Sequence, residues 1–130
     1  MSNLHPHATI STTAPVILIT GAARRVGATI ATTLHAAGAC VALHARQSVD
    51  AAAALAFKLN TARADSAMVV SADLLDVAAM EPMVAQVAKH FGGLDGLVCN
   101  ASSFFPTPLG QITEADWHDL VGSNFKAPLF

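Results

Sequence analysis

Residues 20–27 of the chain read TGAARRVG, and the apolar run VILI at 16–19 leads directly into them. Small residues such as Gly21 and Gly27 let backbone N–H groups come close to a pyrophosphate, and the dipole of a helix opening at the turn favours negative charge there. Arg24 and Arg25 place two cations inside the turn that a bare glycine loop lacks. The chemistry these residues can do is the binding of a dinucleotide, and the extra positive charge favours one with an additional phosphate, NADP(H).

A second group, Leu43-His44-Ala45-Arg46-Gln47-Ser48, follows an apolar run about 20 residues beyond that turn, where an NAD-binding chain of this layout carries an Asp or Glu for the ribose 2′-hydroxyl. No carboxylate occurs here before Asp50. A carboxylate would repel a 2′-phosphate, whereas Arg46 can clamp one through two N–H groups and Ser48 can donate another hydrogen bond. The alternative for Arg46 is a solvated side chain in a turn.

The elements that must position these groups follow from hydrophobic period and punctuation. Strands are expected at Val16 to Ile19, Cys40 to His44, Met68 to Ser71 and Leu97 to Asn100. Helices are expected from Val26 to Ala37, from about Val49 to Thr61 with Asp50 in its first turn, and from Asp76 to His90 with Pro82 early in it. Thr113 opens a last helix in TEADWHDLVGSNF, with Asp116 placed to satisfy its first amides. This β-α-β-α-β-α-β-α alternation implies right-handed crossovers and a parallel sheet of order 3-2-1-4. Ligands of such sheets bind beyond the carboxyl ends of the strands, where Thr20 to Gly27, His44 to Ser48 and Asn100 to Pro108 converge.

Composition limits the alternatives. The chain has 130 residues, is 53% hydrophobic and 12% charged, and carries a net charge of −2, which suits one cytoplasmic α/β domain and argues against disorder. It has no basic run for nucleic acid and no stretch of about 18 apolar residues for a membrane span, so neither partner is expected. Residues 1–15 are polar, lack the pattern of a secretory signal and are expected to form a flexible leader. Cys40 and Cys99 lack CxxC spacing and read as buried, reduced thiols. The six histidines show no metal-binding spacing, so no metal site is expected.

Four segments in order, TGAARRVG, SADLLD at 71–76, CNASSFFPTPL at 99–109 and VGSNFKAP at 121–128, resemble the short-chain dehydrogenase/reductase family, and more narrowly its pteridine reductase branch. The resemblance covers nearly all of residues 16–130. The wider family has TGxxxGxG at the turn; Arg25 stands at the middle glycine, a departure that the branch shares. The NNAG of the wider family appears as Cys99-Asn100-Ala101-Ser102.

The resemblance implies a Rossmann-like, doubly wound α/β fold that binds NADP(H) and reduces a small molecule, a dihydropterin or dihydrofolate. By it, Arg24, Arg25 and Val26 meet the pyrophosphate within the Gly21–Gly27 turn, and Arg25 also reaches towards the substrate. Arg46, Gln47 and Ser48 surround the 2′-phosphate with His44 beside them, and Asp73 and Leu74 border the adenine. Asn100, Ala101 and Ser102 line the nicotinamide ribose. Asp73 equally reads as a turn former, and Asn100 as a residue that holds a strand end. Phe104 would set a flat aromatic face opposite the nicotinamide, a slot suited to a pterin whose edge Ser102 could bond, while Phe105 reads as core. Pro106-Thr107-Pro108 stiffens that loop.

Reduction in this family uses a tyrosine as proton donor and a lysine four residues later that lowers its pKa. The chain contains no tyrosine. Only the family's supporting asparagine has a counterpart, Asn124, within GSN at 122–124. The expectation is an N-terminal half, truncated after the fourth strand and the following helix, that turns over no substrate, with a homo-oligomeric full-length parent. The other readings are a different carbonyl reductase of the family, such as one acting on oxoacyl groups, and a non-catalytic dinucleotide-binding module.

Overall fold

The computed structural model describes residues 13–130. Four short apolar runs form a parallel sheet: β1 (Val16–Ile19), β2 (Cys40–His44), β3 (Ala67–Val70) and β4 (Gly96–Val98), in the spatial order β3-β2-β1-β4. Val16 of β1 lies opposite Cys40, Ile17 opposite Gly96, and Val41 of β2 opposite Ala67. Helices α1 (Arg25–Ala36), α2 (Val49–Ala62) and α3 (Met80–Phe91) connect the strands, and α4 (Glu114–Val121) follows the sheet. Of the expected leader, residues 1–12 lie outside the described residues, and Pro15 already accepts a bond from the Cys40 N–H at 2.8 Å.

The period-2 alternation of side chains sorts the core onto the two faces of the sheet. Ile19, Val41 and Leu43 pack with Ala31 of α1 and with Ala52, Ala56 and Leu59 of α2. Val16, Leu18, Ala42 and Val70 pack with Met83 and Val87 of α3 on the opposite face. Leu18, Ile19, Val41 and Leu43 are wholly buried, each a burial worth about 1.5–3 kcal/mol. At the amino ends of the strands, the Arg63 guanidinium donates to the carbonyls of His35 (3.0 Å), Gly38 (2.9 Å) and Ala39 (2.6 Å), closing the end of α1. The Val16 N–H donates to Asp95 Oδ2 at 2.8 Å, which secures the start of β1.

Several boundaries move from their expected places. β3 and β4 each begin one residue early, and β4 stops at Val98. Asp76 caps a short 3-10 turn, Val77–Ala79, through the Ala78 N–H at 3.0 Å, so the expected single helix from Asp76 is divided before α3. Thr113 and Asp116 form a reciprocal capping box at the start of α4. The expected continuous last helix is also divided: a π-helical turn (Gly122–Lys126) precedes α5 (Ala127–Leu129). Pro128 has no N–H for the Asn124 carbonyl four residues back, which is a physical reason for the change of period there.

The cysteine expectation is corrected. Cys99 is exposed because β4 is an edge strand that ends before it, and Leu97 within that strand is itself 53% exposed; Cys40, at the start of β2, is only partly buried. Among the described residues, no helix is long and apolar enough to cross a membrane, and no group of three or more His, Cys, Asp or Glu could hold a metal ion.

Candidate functional site

The turn between β1 and α1 is built by exclusion of side chains. Gly21 has φ +64°, and a Cβ on it would lie 3.0 Å from the Ala101 Cα. A Cβ on Gly27 would lie 2.1 Å from the Gly21 carbonyl oxygen and 2.6 Å from Asn100 Nδ2. The first turn of α1 therefore rests directly on the loop that leaves β1, with no room for a methyl group. Arg25, at the opening of α1, also has a left-handed backbone, with φ +50°. A non-glycine residue held in this region costs about 1–2 kcal/mol, so the surrounding turn maintains a strained cation at this point.

Two polar side chains tie this turn to the end of β4. Thr20 Oγ1 accepts from the backbone N–H groups of Asn100 and Ala101, both at 3.0 Å. Asn100 Nδ2 donates to the carbonyls of Thr20 (3.0 Å) and Gly21 (3.1 Å). The strand-holding role considered for Asn100 is thus present in the fold, and Asn100 also lines the crevice between these loops.

His44, at the end of β2, is 2% exposed and ties the turn to the end of β3. The Gly21 N–H donates to its Nδ1 at 3.2 Å, so the ring proton resides on Nε2, which donates to the Ala72 carbonyl at 3.0 Å. The next amide, Ala22 N–H, donates to the His44 carbonyl at 2.9 Å. Burial holds the imidazole below its ordinary pKa, outweighing the rise from the bond to Ala72.

Beyond the carboxyl ends of the strands these loops surround an open crevice of about 570 Å³, lined by Gly21, Ala23, Arg24, Arg25, Val26, Gly27, Ala45, Arg46, Gln47, Ser48, Asn100, Ala101 and Ser102. Its wall carries three arginines and no carboxylate. The guanidinium groups of Arg24 and Arg25 have no hydrogen bond or ion pair among the described residues, and Arg46 Nη1 lies 3.6 Å from Asp73 Oδ1. Such a crevice, beside the amino end of a twelve-residue helix, is suited to a polyanion. Ala23 and Ala45 also line it; without polar groups, they gave no signal in the sequence.

The remaining expected residues stand elsewhere. His44 is turned into the protein, Leu74 packs against the α3-side core, and Asp73 stands at the rim, where its Oδ1 accepts the Leu75 N–H at 3.0 Å in the local turn considered for it. Phe104 is 91% exposed and does not line the crevice, and Phe105 is partly buried. Asn124, in the π-helical turn, donates from Nδ2 to the carbonyls of Ser103 (2.8 Å) and Leu120 (2.9 Å). Ser103 Oγ donates to the Asp119 carboxylate and lies 2.6 Å from Ser123 Oγ. The loop that carries Ser102 and Phe104 is therefore fastened to α4 and the turn after it, a connection that no local sequence signal foretold.

Comparison with known proteins agrees with this architecture. A family model described as short chain dehydrogenase matches residues 15–130. The chain is 40% identical to pteridine reductase 1 of Leishmania tarentolae, over 94% of this chain and 53% of that protein. It is 36% identical to galactitol 2-dehydrogenase of Agrobacterium fabrum, over 88% of this chain and 43% of that protein. It is 32% identical to the 3-oxoacyl-[acyl-carrier-protein] reductase FabG of Staphylococcus aureus, over 84% and 44% respectively. The chain thus spans about half the length of the curated relatives it matches. A β3-β2-β1-β4 parallel sheet with its glycine turn at the end of β1, matched by the family model over the whole of that fold, makes the chain a member of the short chain dehydrogenase family.

Proposed function

We propose that residues 16–130 form the NADP(H)-binding part of a reductase whose full-length form acts on a pterin. The observation that carries the cofactor reading is the crevice wall, with Arg24, Arg25 and Arg46 on it and no carboxylate. Arg24 and Arg25, with Val26 and the Gly21 and Gly27 backbone, would meet the pyrophosphate. Arg46, Gln47 and Ser48 would hold the 2′-phosphate, with Asp73 and Leu74 towards the adenine. Asn100, Ala101 and Ser102 would border the nicotinamide ribose. When bound, the cofactor supplies a hydride.

His44 supports this site from behind, through Gly21 and Ala72, rather than from the cavity wall. The pterin reading is supported by the 40% identity to a pteridine reductase and by the SSFFPTPL loop, where Ser102 borders the crevice and Phe104 offers an uncovered aromatic face. Arg25 would serve both cofactor and substrate. Asn124, anchoring the Ser103 carbonyl, has a supporting role in that arrangement. With no tyrosine in its sequence, the 130-residue chain is expected to bind cofactor without turning over substrate. The full-length form would be cytoplasmic and homo-oligomeric, and the oligomer is supported by the 62% exposure of Trp117 on α4 and the 72% exposure of Phe125 just after it.

The test of the cofactor reading is Arg46→Ala, which should weaken NADPH binding more than NADH binding in fluorescence titrations; equal losses would overturn it. For the substrate, a full-length version retaining Phe104 should reduce dihydropterins. Turnover of oxoacyl substrates or simple ketones without dihydropterins would replace that reading with the general carbonyl reductase. Steady NADPH oxidation by the 130-residue chain with a pterin present would refute its inactivity.

A further inference from the structure

Of the three arginines on the crevice wall, Arg46 is the one held by a carboxylate. Its Nη1 lies 3.6 Å from Asp73 Oδ1, with the two side chains 52% and 45% exposed. Asp73 comes from the segment after β3, 27 residues along the chain, and is not itself part of the wall. Its carboxylate is positioned without help from Arg46: the same Oδ1 accepts the Leu75 N–H at 3.0 Å, and its backbone carbonyl accepts the Asp76 N–H at 3.0 Å. The acceptor is thus set by its own turn, and the long, half-exposed arginine is the partner free to move.

A single contact of this length between half-exposed groups is weak and readily exchanged. A phosphate dianion offers the same guanidinium a two-point contact and more charge. Building on the cofactor reading above, we propose that Asp73 is an internal competitor for Arg46 and so a determinant of cofactor selectivity. A 2′-phosphate draws Arg46 away from Asp73, and the separation of that pair offsets part of the preference for NADPH over NADH. NADH, with no 2′-phosphate, leaves the pair intact. Any contact of Asp73 with the adenine is common to both cofactors and cancels in their ratio.

The experiment is a double-mutant cycle on the full 130-residue chain, with dissociation constants for NADPH and NADH measured at low salt for the parent, Asp73→Asn, Arg46→Ala and the double variant. Asparagine keeps an oxygen for the Leu75 N–H, so the turn is retained; circular dichroism verifies the fold. Asp73→Asn should raise the NADPH-to-NADH affinity ratio by about two- to fivefold when Arg46 is present, and by clearly less in the Arg46→Ala background. Added salt should shrink the gain. An unchanged or lowered ratio in Asp73→Asn, beside a ratio that falls in Arg46→Ala, overturns the competition alone. Equal gains in both backgrounds also overturn it, since they reveal only through-space repulsion. An unchanged ratio in Arg46→Ala, or no binding of either cofactor, overturns the cofactor reading and the competition with it.

Discussion

The backbone N–H of Gly21 donates to Nδ1 of His44 at 3.2 Å, joining the glycine turn of β1 to the end of β2 through a ring that also bonds the chain after β3. This bond exists only while the imidazole is neutral, because a second ring proton would face the amide hydrogen. The glycine turn therefore depends on a buried group whose charge is excluded by its surroundings.

The folded-state pKa of His44 lies below the ordinary 6.5, so below that value the unfolded chain binds a proton that the folded chain refuses. Stability is complete above 6.5 and declines as pH falls below it, until the lowered folded-state pKa is reached. His35, lowered by burial and by the charge of Arg63, adds a decline of the same sign. The urea midpoint should fall between about pH 7.5 and about pH 5.5. His44→Leu, which leaves Gly21 N–H and the Ala72 carbonyl unpaired, should cost about 2–4 kcal/mol at the higher pH and flatten the dependence.

Gly27→Ala should be among the more damaging single substitutions. Its Cβ would meet the Gly21 carbonyl oxygen at 2.1 Å, and backbone cannot yield as a flexible side chain can. A loss of about 3 kcal/mol or more in urea unfolding is expected, with NADPH binding lost. Stability and binding close to those of the parent would show that α1 can move off the turn.

Asn100→Ala removes both donors that its Nδ2 offers to the Thr20 and Gly21 carbonyls. The expected cost is about 1–3 kcal/mol. Thr20→Val should fall in a similar range, since it removes the shared acceptor for two amides. The two losses should be non-additive in the double variant, because both residues tie together the same two loops.

Arg25→Gly should separate stability from binding. Glycine accepts φ +50° without strain but is freer in the unfolded chain, so a net gain of about 0.5–1 kcal/mol is expected. The crevice loses a cation at the same time, and NADPH titration should show weaker binding. A loss of stability would mean that the Arg25 side chain contributes packing that outweighs its strain.

Much of the fold was legible. VILI and CVALH gave β1 and β2 with their observed limits, because short apolar runs bounded by glycine and polar turns leave little choice of element. The Thr113–Asp116 capping box was equally local, needing only two residues three positions apart. Cys99 was not legible. Its apolar neighbours indicate a strand, but whether that strand is covered depends on its place in the sheet. The break of the last helix at Gly122–Lys126 was available in principle from Pro128, whose missing N–H acts on the turn before it.

The crevice loops were legible for the same local reason: glycines and arginines in tight turns act where they stand in the chain. The orientation of His44 was not, because it is set by Gly21 and Ala72, both distant in sequence. By itself the sequence determined an alternating α/β chain with a glycine turn and three arginines placed for an anion. The tertiary structure decided which polar groups face the crevice and which hold the frame, since Gly21 meets His44, and Arg46 meets Asp73, only once parallel pairing brings the carboxyl ends of β1, β2 and β3 side by side. Hydrogen bonds and ion pairs have short range and strict geometry, so the side-by-side placement of the strand ends selects among partners that composition leaves equivalent.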